Sequence, residues 1–261
     1  MYFVAAHCWQ KNEDKTAKTI AEAMDILIYE ARQKISDGGP AVLTSFADQN
    51  QANELATRLT QGGIPALVID PVATRSKRPF LVSRFVIEEQ TLQLKSADGA
   101  DCDIPFDTIE LLLGATYNFE IKEGTITVSD RKFSLGKTLL AGGVPMTKKV
   151  QSEKSVMLLE RDETLWLYRK EEAPFIFNRV ALNYDGLADA LHLTRNLNFI
   201  HLKNRLRQLA PQAICDDRLL KRSRLIRLLG STLNPDVDLD LACEILARSL
   251  RPEPVPTSGN S

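Results

Sequence analysis

The chain opens on a short apolar run of strand type, Tyr2–His7. The polar residues Asn12–Asp14 then supply helix caps, and Ala17, Ile20, Ala21 and Met24 recur at helical spacing. After Asp25, the positions of Ile28, Ala31, Arg32 and Ile35 predict a second short helix. Gly38-Gly39-Pro40 stops it, because glycine permits a left-handed exit and proline cannot continue a helix. Ala41–Phe46 reads as a strand. Asp48 stands where an N-cap is needed, ahead of Ala52, Leu55, Ala56 and Leu59, and Gly62-Gly63 closes that helix before a last strand at Pro65–Asp70. The order expected over residues 1–72 is β-α-α-β-α-β.

Val72–Arg78 (VATRSKR) is polar and basic, and 73–78 reads as a linker. Beyond Pro79 the apolar period shortens to two. Phe80–Ile87 and Thr91–Leu94 read as strands, and Asp98-Gly99 predicts a tight I′ hairpin turn with Cys102–Phe106 returning. Lys122-Glu123-Gly124 and Arg161-Asp162-Glu163 predict two further hairpin turns. Trp166, Tyr168, Phe175 and Phe177 alternate on neighbouring strands as a sheet core, and a helix near Tyr184–Leu193 is expected to cover one open end. Residues 79–195 thus predict a mainly antiparallel curved sheet or small barrel, in outline similar to pleckstrin-homology-like modules. Residues 196–250 read as helical. Phe199, Leu202, Leu206 and Leu209 share a face; Asp216-Asp217 opens a helix to Leu229; Leu239, Ala242, Cys243, Leu246 and Leu250 mark the cleanest amphipathic pattern. The Pro/Ser-rich tail, 251–261, is expected to be disordered. The fold class is α+β.

Composition narrows the picture. Of 261 residues, 44 % are apolar and 26 % charged, with 33 Lys+Arg against 34 Asp+Glu, which excludes a disordered chain, a collagen, a disulfide mini-protein and a coiled-coil rod. No apolar run approaches the ~20 residues that span a bilayer, so no membrane insertion is expected. Met1–Trp9 is short, lacks a basic lead and does not read as a signal peptide. The four cysteines (Cys8, Cys102, Cys215, Cys243) form no C-x-x-C pair, as expected of thiols in a reducing, bacterial-type cytoplasm.

Several residues of the first module carry a resemblance. Glu30-Ala31-Arg32, Ile35, Gly38 and Pro40, then Ala52, Leu59 and a glycine before a short strand, are similar to the C-terminal domain of the ribosomal stalk protein L7/L12. The adaptor ClpS shares that general fold. The similarity covers about residues 1–70, a quarter of the chain. It implies a domain that docks a protein partner and performs no chemistry. The lysine-rich docking face of the stalk domain is not reproduced, since the corresponding helix carries Asn50, Gln51, Asn53 and Thr57. The particular partner therefore does not carry over.

Motifs for chemistry fall away on inspection. Gly136-Lys137-Thr138 lacks the earlier glycine of a phosphate-binding loop, with Arg at 131, and reads as a surface turn within the long segment Gly136–Ser155. Asp98, Asp101 and Asp103 lack the spacing and closing Glu of a calcium loop; alternation puts Asp101 and Asp103 on one solvated face and Cys102 on the other. His7-Cys8 stands far from His192 and His201, so no metal set is expected. Cys8 is the better candidate for a reactive thiol and Cys243 reads as core. No cofactor is expected, and an enzyme would have to use Cys8 or the 136–155 segment without a recognisable motif.

Charge supplies the remaining signal. Residues 201–230 hold eight basic side chains against Asp216 and Asp217, a net +6 in a chain of −1. The plain reading is a solvated face balanced by Asp236, Asp238 and Asp240. The functional reading is an anionic partner bound by Lys203, Arg207, Arg218, Lys221, Arg222 and Arg224. An acidic protein surface fits better than nucleic acid, because aromatics for base stacking are scarce there. The expectation is a protein-binding or regulatory module, with a nucleic-acid-associated regulator binding through 203–227 as the alternative.

Overall fold

The structure is a computed structural model that describes residues 1–7, 13–35, 38–133, 147–170 and 173–251. The protein is α+β, with a three-stranded and a seven-stranded sheet. Residues 1–117 and 162–261 form one compact unit, and Asn118–Arg161 a second.

The first module has the expected order: β1 (Tyr2–Ala6), α1 (Glu13–Met24), α2 (Ile28–Ile35), β2 (Ala41–Phe46), α3 (Gln49–Gln61) and β3 (Ala66–Ile69). The strands lie in the order β2-β1-β3, antiparallel throughout. Alternation along β1 divides its side chains. Val4 and Ala6 pack with Leu43 against Ala17, Ile20, Ala31, Leu55 and Leu59 of the three helices. Phe3 and Ala5 face the other way with Val42, Leu67 and Ile69, into a core completed from the far end of the chain. Asp48 caps α3 as expected, accepting from the amides of Asn50 and Gln51.

The segment expected as a linker is instead helix α4 (Pro71–Ser76). Asp70 caps it through the Val72 and Ala73 amides, and Pro71 fits its first turn because that amide has no helical partner. Arg75 bonds Asp240 at 2.8 Å and also pairs with Asp238. Those two carboxylates are thereby engaged outside the basic region they were expected to balance.

The large sheet is built from β4 (Phe80–Ile87), β5 (Thr91–Ser96), β6 (Asp101–Pro105), β7 (Ile109–Phe133), β8 (Thr147–Arg169), β9 (Phe175–Asn178) and β10 (Ile214–Leu219), in the order β10-β7-β8-β9-β4-β5-β6. Two of its pairs are parallel, β9 with β4 and β10 with β7, so the sheet is mixed. The β5–β6 turn is not type I′. Only Gly99 has positive φ, at 93°, and the Gly99 amide donates to the Ser96 carbonyl, giving a three-residue loop closed by a glycine bulge. The turns expected at 122–124 and 161–163 are also absent, since both stretches lie inside continuous strands. Asp162 uses its buried carboxylate to accept from Arg179 at 2.6 Å and from the Val180 amide at 3.0 Å rather than to turn its own backbone. Trp166 and Tyr168 point to one face of the sheet, Phe175 and Phe177 to the other.

The C-terminal part differs most from expectation. Tyr184–Leu193 forms 3-10 turns over Asp185–Ala190, broken at Ala188, instead of an α-helix. Helix α5 (Arg195–Leu209) packs Phe199, Leu202 and Leu206 on one face of the large sheet. Asp216-Asp217 does not open a helix but lies in β10, paired with Leu113 and its neighbours in β7. The next helix, α6 (Arg222–Leu229), starts five residues later, and α7 (Leu239–Leu250) buries Leu241, Ala242, Cys243, Leu246 and Ala247 against the opposite face. Cys8, Gly136–Lys137–Thr138 and the tail beyond Arg251 lie outside the described residues. Among the described residues no helix is long and apolar enough to cross a membrane.

Candidate functional site

The six basic residues singled out by charge divide into two groups. Three lie outside the cleft that the other three line, each paired within the fold; Arg218, inside it, is paired with Asp216 as well. Lys203 bonds Glu163 with its side chain only 9 % exposed, its ammonium lying 5.6 Å from the Phe199 ring centre. Arg207 pairs with Asp217 at 2.6 Å; burial works against its charge, but Asp217 prevails and its pKa is raised. Arg222 binds both oxygens of Asp236, the longer contact at 2.9 Å, and that hydrogen bonding raises its pKa. A bidentate arginine–carboxylate pair leaves little of the guanidinium fork for another anion.

The other three, Arg218, Lys221 and Arg224, line one cleft of about 1310 Å³. Its opposite wall comes from α2 and the Gly38–Val42 turn, some 180 residues away in sequence. Lys34 and Arg227 join them, so among the described residues five basic side chains face two acidic ones, Glu30 and Asp217. Asp217 is already neutralised by Arg207. Arg218 contacts Asp216 at 2.8 Å along β10, and Lys34 donates to the Leu43 carbonyl at 2.8 Å. Lys221 is exposed and makes no side-chain ion pair among the described residues.

Local sequence explains the arrangement. Leu225, Leu228 and Leu229 are buried at helical spacing, which turns Arg224, Ile226 and Arg227 outward. Helix α6 also begins against its own dipole. Lys221 is the N-cap with no capping side chain, Arg222 and Arg224 fill the first turn, and no acidic residue is there. A cation at a helix N-terminus costs about 0.3–1 kcal/mol, and an anion in the same place is stabilised by a similar amount. Asp236 offsets this for Arg222, while Lys221 and Arg224 line the cleft. The cleft is not purely polar, since Ile26 and Ile226 line it. Leu27 and Tyr29, flanking the cleft residues in sequence, are 70 % and 68 % exposed. Among the described residues no aromatic side chain lines it.

Sequence reasoning missed Lys34 and the 38–42 wall entirely. The only local signal was Gly38-Gly39-Pro40, read as a helix stop. A helical wheel drawn from Asp216 puts Leu225 and Leu229 in one arc with Arg218, Lys221 and Arg222; the actual helix begins at Arg222, which stays in that arc and pairs with Asp236, while Arg224 and Arg227 turn to the exposed side. Among the described residues no group of three or more His, Cys, Asp or Glu side chains could hold a metal ion. No family model matches the chain, and no curated protein or solved structure matches it either.

Proposed function

We propose that this protein is a binding module that docks an acidic segment of a protein partner in the cleft between α2, the 38–42 turn and α6. The observation that carries this reading is the five-to-two excess of basic side chains among the described residues around one concave site, with Lys221 and Arg224 set at an uncapped helix start. Apolar Ile26 and Ile226 within the basic wall suit a peptide carrying both carboxylates and aliphatic side chains. Nucleic acid would use stacking platforms, which this cleft does not offer. The resemblance of residues 1–70 to docking domains points the same way, with the docking surface moved from the helix carrying Asn50 and Asn53 to the preceding helix, α2, and the turn after it.

The test is fluorescence anisotropy with the full chain and a labelled peptide of alternating Glu and Leu residues, beside a single-stranded oligonucleotide of equal charge. Peptide binding should weaken as salt rises and fall more than tenfold in the Lys221→Glu, Arg224→Glu double variant, whose side chains are exposed. Oligonucleotide binding tighter than peptide binding would move the assignment to nucleic acid. Peptide binding that is unaffected by the double variant would remove the cleft from consideration.

A further inference from the structure

The chain has three histidines, His7, His192 and His201, and the fold brings two of them together. The rings of His192 and His201 lie with their centres 5.3 Å apart, inclined at 58°. His192 follows the 3-10 turns over Asp185–Ala190, and His201 stands near the middle of α5.

The backbone prepares this meeting. Asn198, buried one turn before His201, spends its side-chain amide on the main chain of His192. Its carbonyl oxygen accepts from the His192 amide at 2.6 Å, and its nitrogen donates to the His192 carbonyl at 3.1 Å. Asn198 and His201 are three residues apart on one helix, so they are neighbours on its surface. Anchoring the His192 backbone at the first brings its ring to the second. Both imidazoles reach solvent, His192 being exposed and His201 half-buried.

We propose that His192 and His201 form a two-imidazole binding site for a divalent transition-metal ion of the Zn²⁺ or Ni²⁺ class. Imidazole nitrogen is a donor that such ions favour, whereas Mg²⁺ and Ca²⁺ take oxygen. The spacing suits the same ions. Two imidazoles on one tetrahedral ion, each nitrogen at about 2.0–2.1 Å, hold their ring centres roughly 5 Å apart. The observed separation matches that value, so the ion requires no change in the distance between the rings. Among the described residues no third His, Cys, Asp or Glu joins the pair, so water completes the coordination shell. The site is therefore open and exchangeable, unlike a closed structural zinc centre. A bound ion ties the segment before α5 to the helix itself and stabilises the folded chain by its binding free energy.

Titration of the full chain with Ni²⁺, followed through the imidazole proton resonances, tests this. The paramagnetic ion should broaden the His192 and His201 signals together while His7 stays sharp. By isothermal titration calorimetry, His192→Gln and His201→Gln should each weaken Ni²⁺ binding more than tenfold. The double variant should lose little more than either single one, because chelation needs both rings. Both side chains reach solvent, so far-UV circular dichroism of the variants should match the parent. Broadening confined to one of the two rings, or centred on His7, would overturn the assignment. So would Ni²⁺ binding that survives either substitution, a parent that binds no Ni²⁺, or Mg²⁺ acting as well as Ni²⁺.

Discussion

Lys203, on α5, and Glu163, on β8, bond to each other across a separation of forty residues. The lysine is the more enclosed, at 9 % side-chain exposure against 20 % for the glutamate. Removing either charge therefore has unequal consequences. Glu163→Gln leaves an ammonium buried without its counter-charge, which should cost about 2–4 kcal/mol. Lys203→Met keeps the aliphatic stem against Phe199 and leaves a carboxylate that can reach water, so it should cost about half as much or less. Urea unfolding of both variants checks the order; equal losses would show that the pair is not enclosed as described.

Arg222 and Lys221 adjoin in sequence and should behave oppositely. Arg222 is committed to Asp236, in a pair about one-third exposed, so Arg222→Ala should lower stability by ~1 kcal/mol or less. It should change acidic-peptide affinity by less than twofold. Lys221→Ala should leave stability within about 0.5 kcal/mol and weaken the peptide several-fold. Anisotropy and thermal melts on the two single variants separate the roles.

Gly186 lies against the main chain of β4. A Cβ placed there would stand 1.9 Å from the Phe85 carbonyl oxygen, so Gly186→Ala must displace backbone and should cost about 2–3 kcal/mol. Gly99→Ala offers the contrast. Nothing lies within 4 Å of its Cβ position and only the positive φ is penalised, at about 1–2 kcal/mol. A Gly186→Ala protein that unfolds at the parent's urea midpoint would contradict the close approach.

Alkaline conditions should destabilise the fold. Burial raises the Cys243 thiol well above its ordinary 9.0 and the Tyr168 phenol well above 10.0. The unfolded chain ionises both at their ordinary values. From about pH 9 upward it therefore holds fewer protons than the native state and is favoured. Stability should be flat in this respect below pH 9 and decline as pH rises further, and Cys243→Ala should reduce the decline. In the native protein near neutral pH, iodoacetamide should modify exposed Cys215 and spare Cys243, as peptide mapping would show.

The first seventy residues were legible because each element there carries its own signal: an apolar strand, a cap, a helical period, a stop. Helix α7 was legible for the same reason. β10 was not, since Ile214-Cys215-Asp216-Asp217 shows no alternation and its partner, Leu111–Leu113, is about a hundred residues earlier. Two adjacent aspartates resemble a helix start, and only that distant pairing makes them part of a strand. The helix at 71–76 was hidden by its polar composition, although Asp70-Pro71, a cap followed by a first-turn proline, was the sign that could have found it. For the cleft, the basic side of α6 could be read from charge. Its other wall could not, nor could the pairing of Arg207 with Asp217, whereas Asp236, read as a balancing carboxylate, does pair with Arg222.

The three-stranded sheet keeps one face, Phe3, Ala5, Val42, Leu67 and Ile69, for a core that Leu241–Ala247 completes. About 170 residues separate Ile69 from Leu241. At roughly 5–20 residues per second of synthesis, the face emerges some 10–35 s before the helix that covers it. For that interval the face stands without the helix that covers it in the folded chain, so this part of the core closes only after nearly the whole sequence has been made.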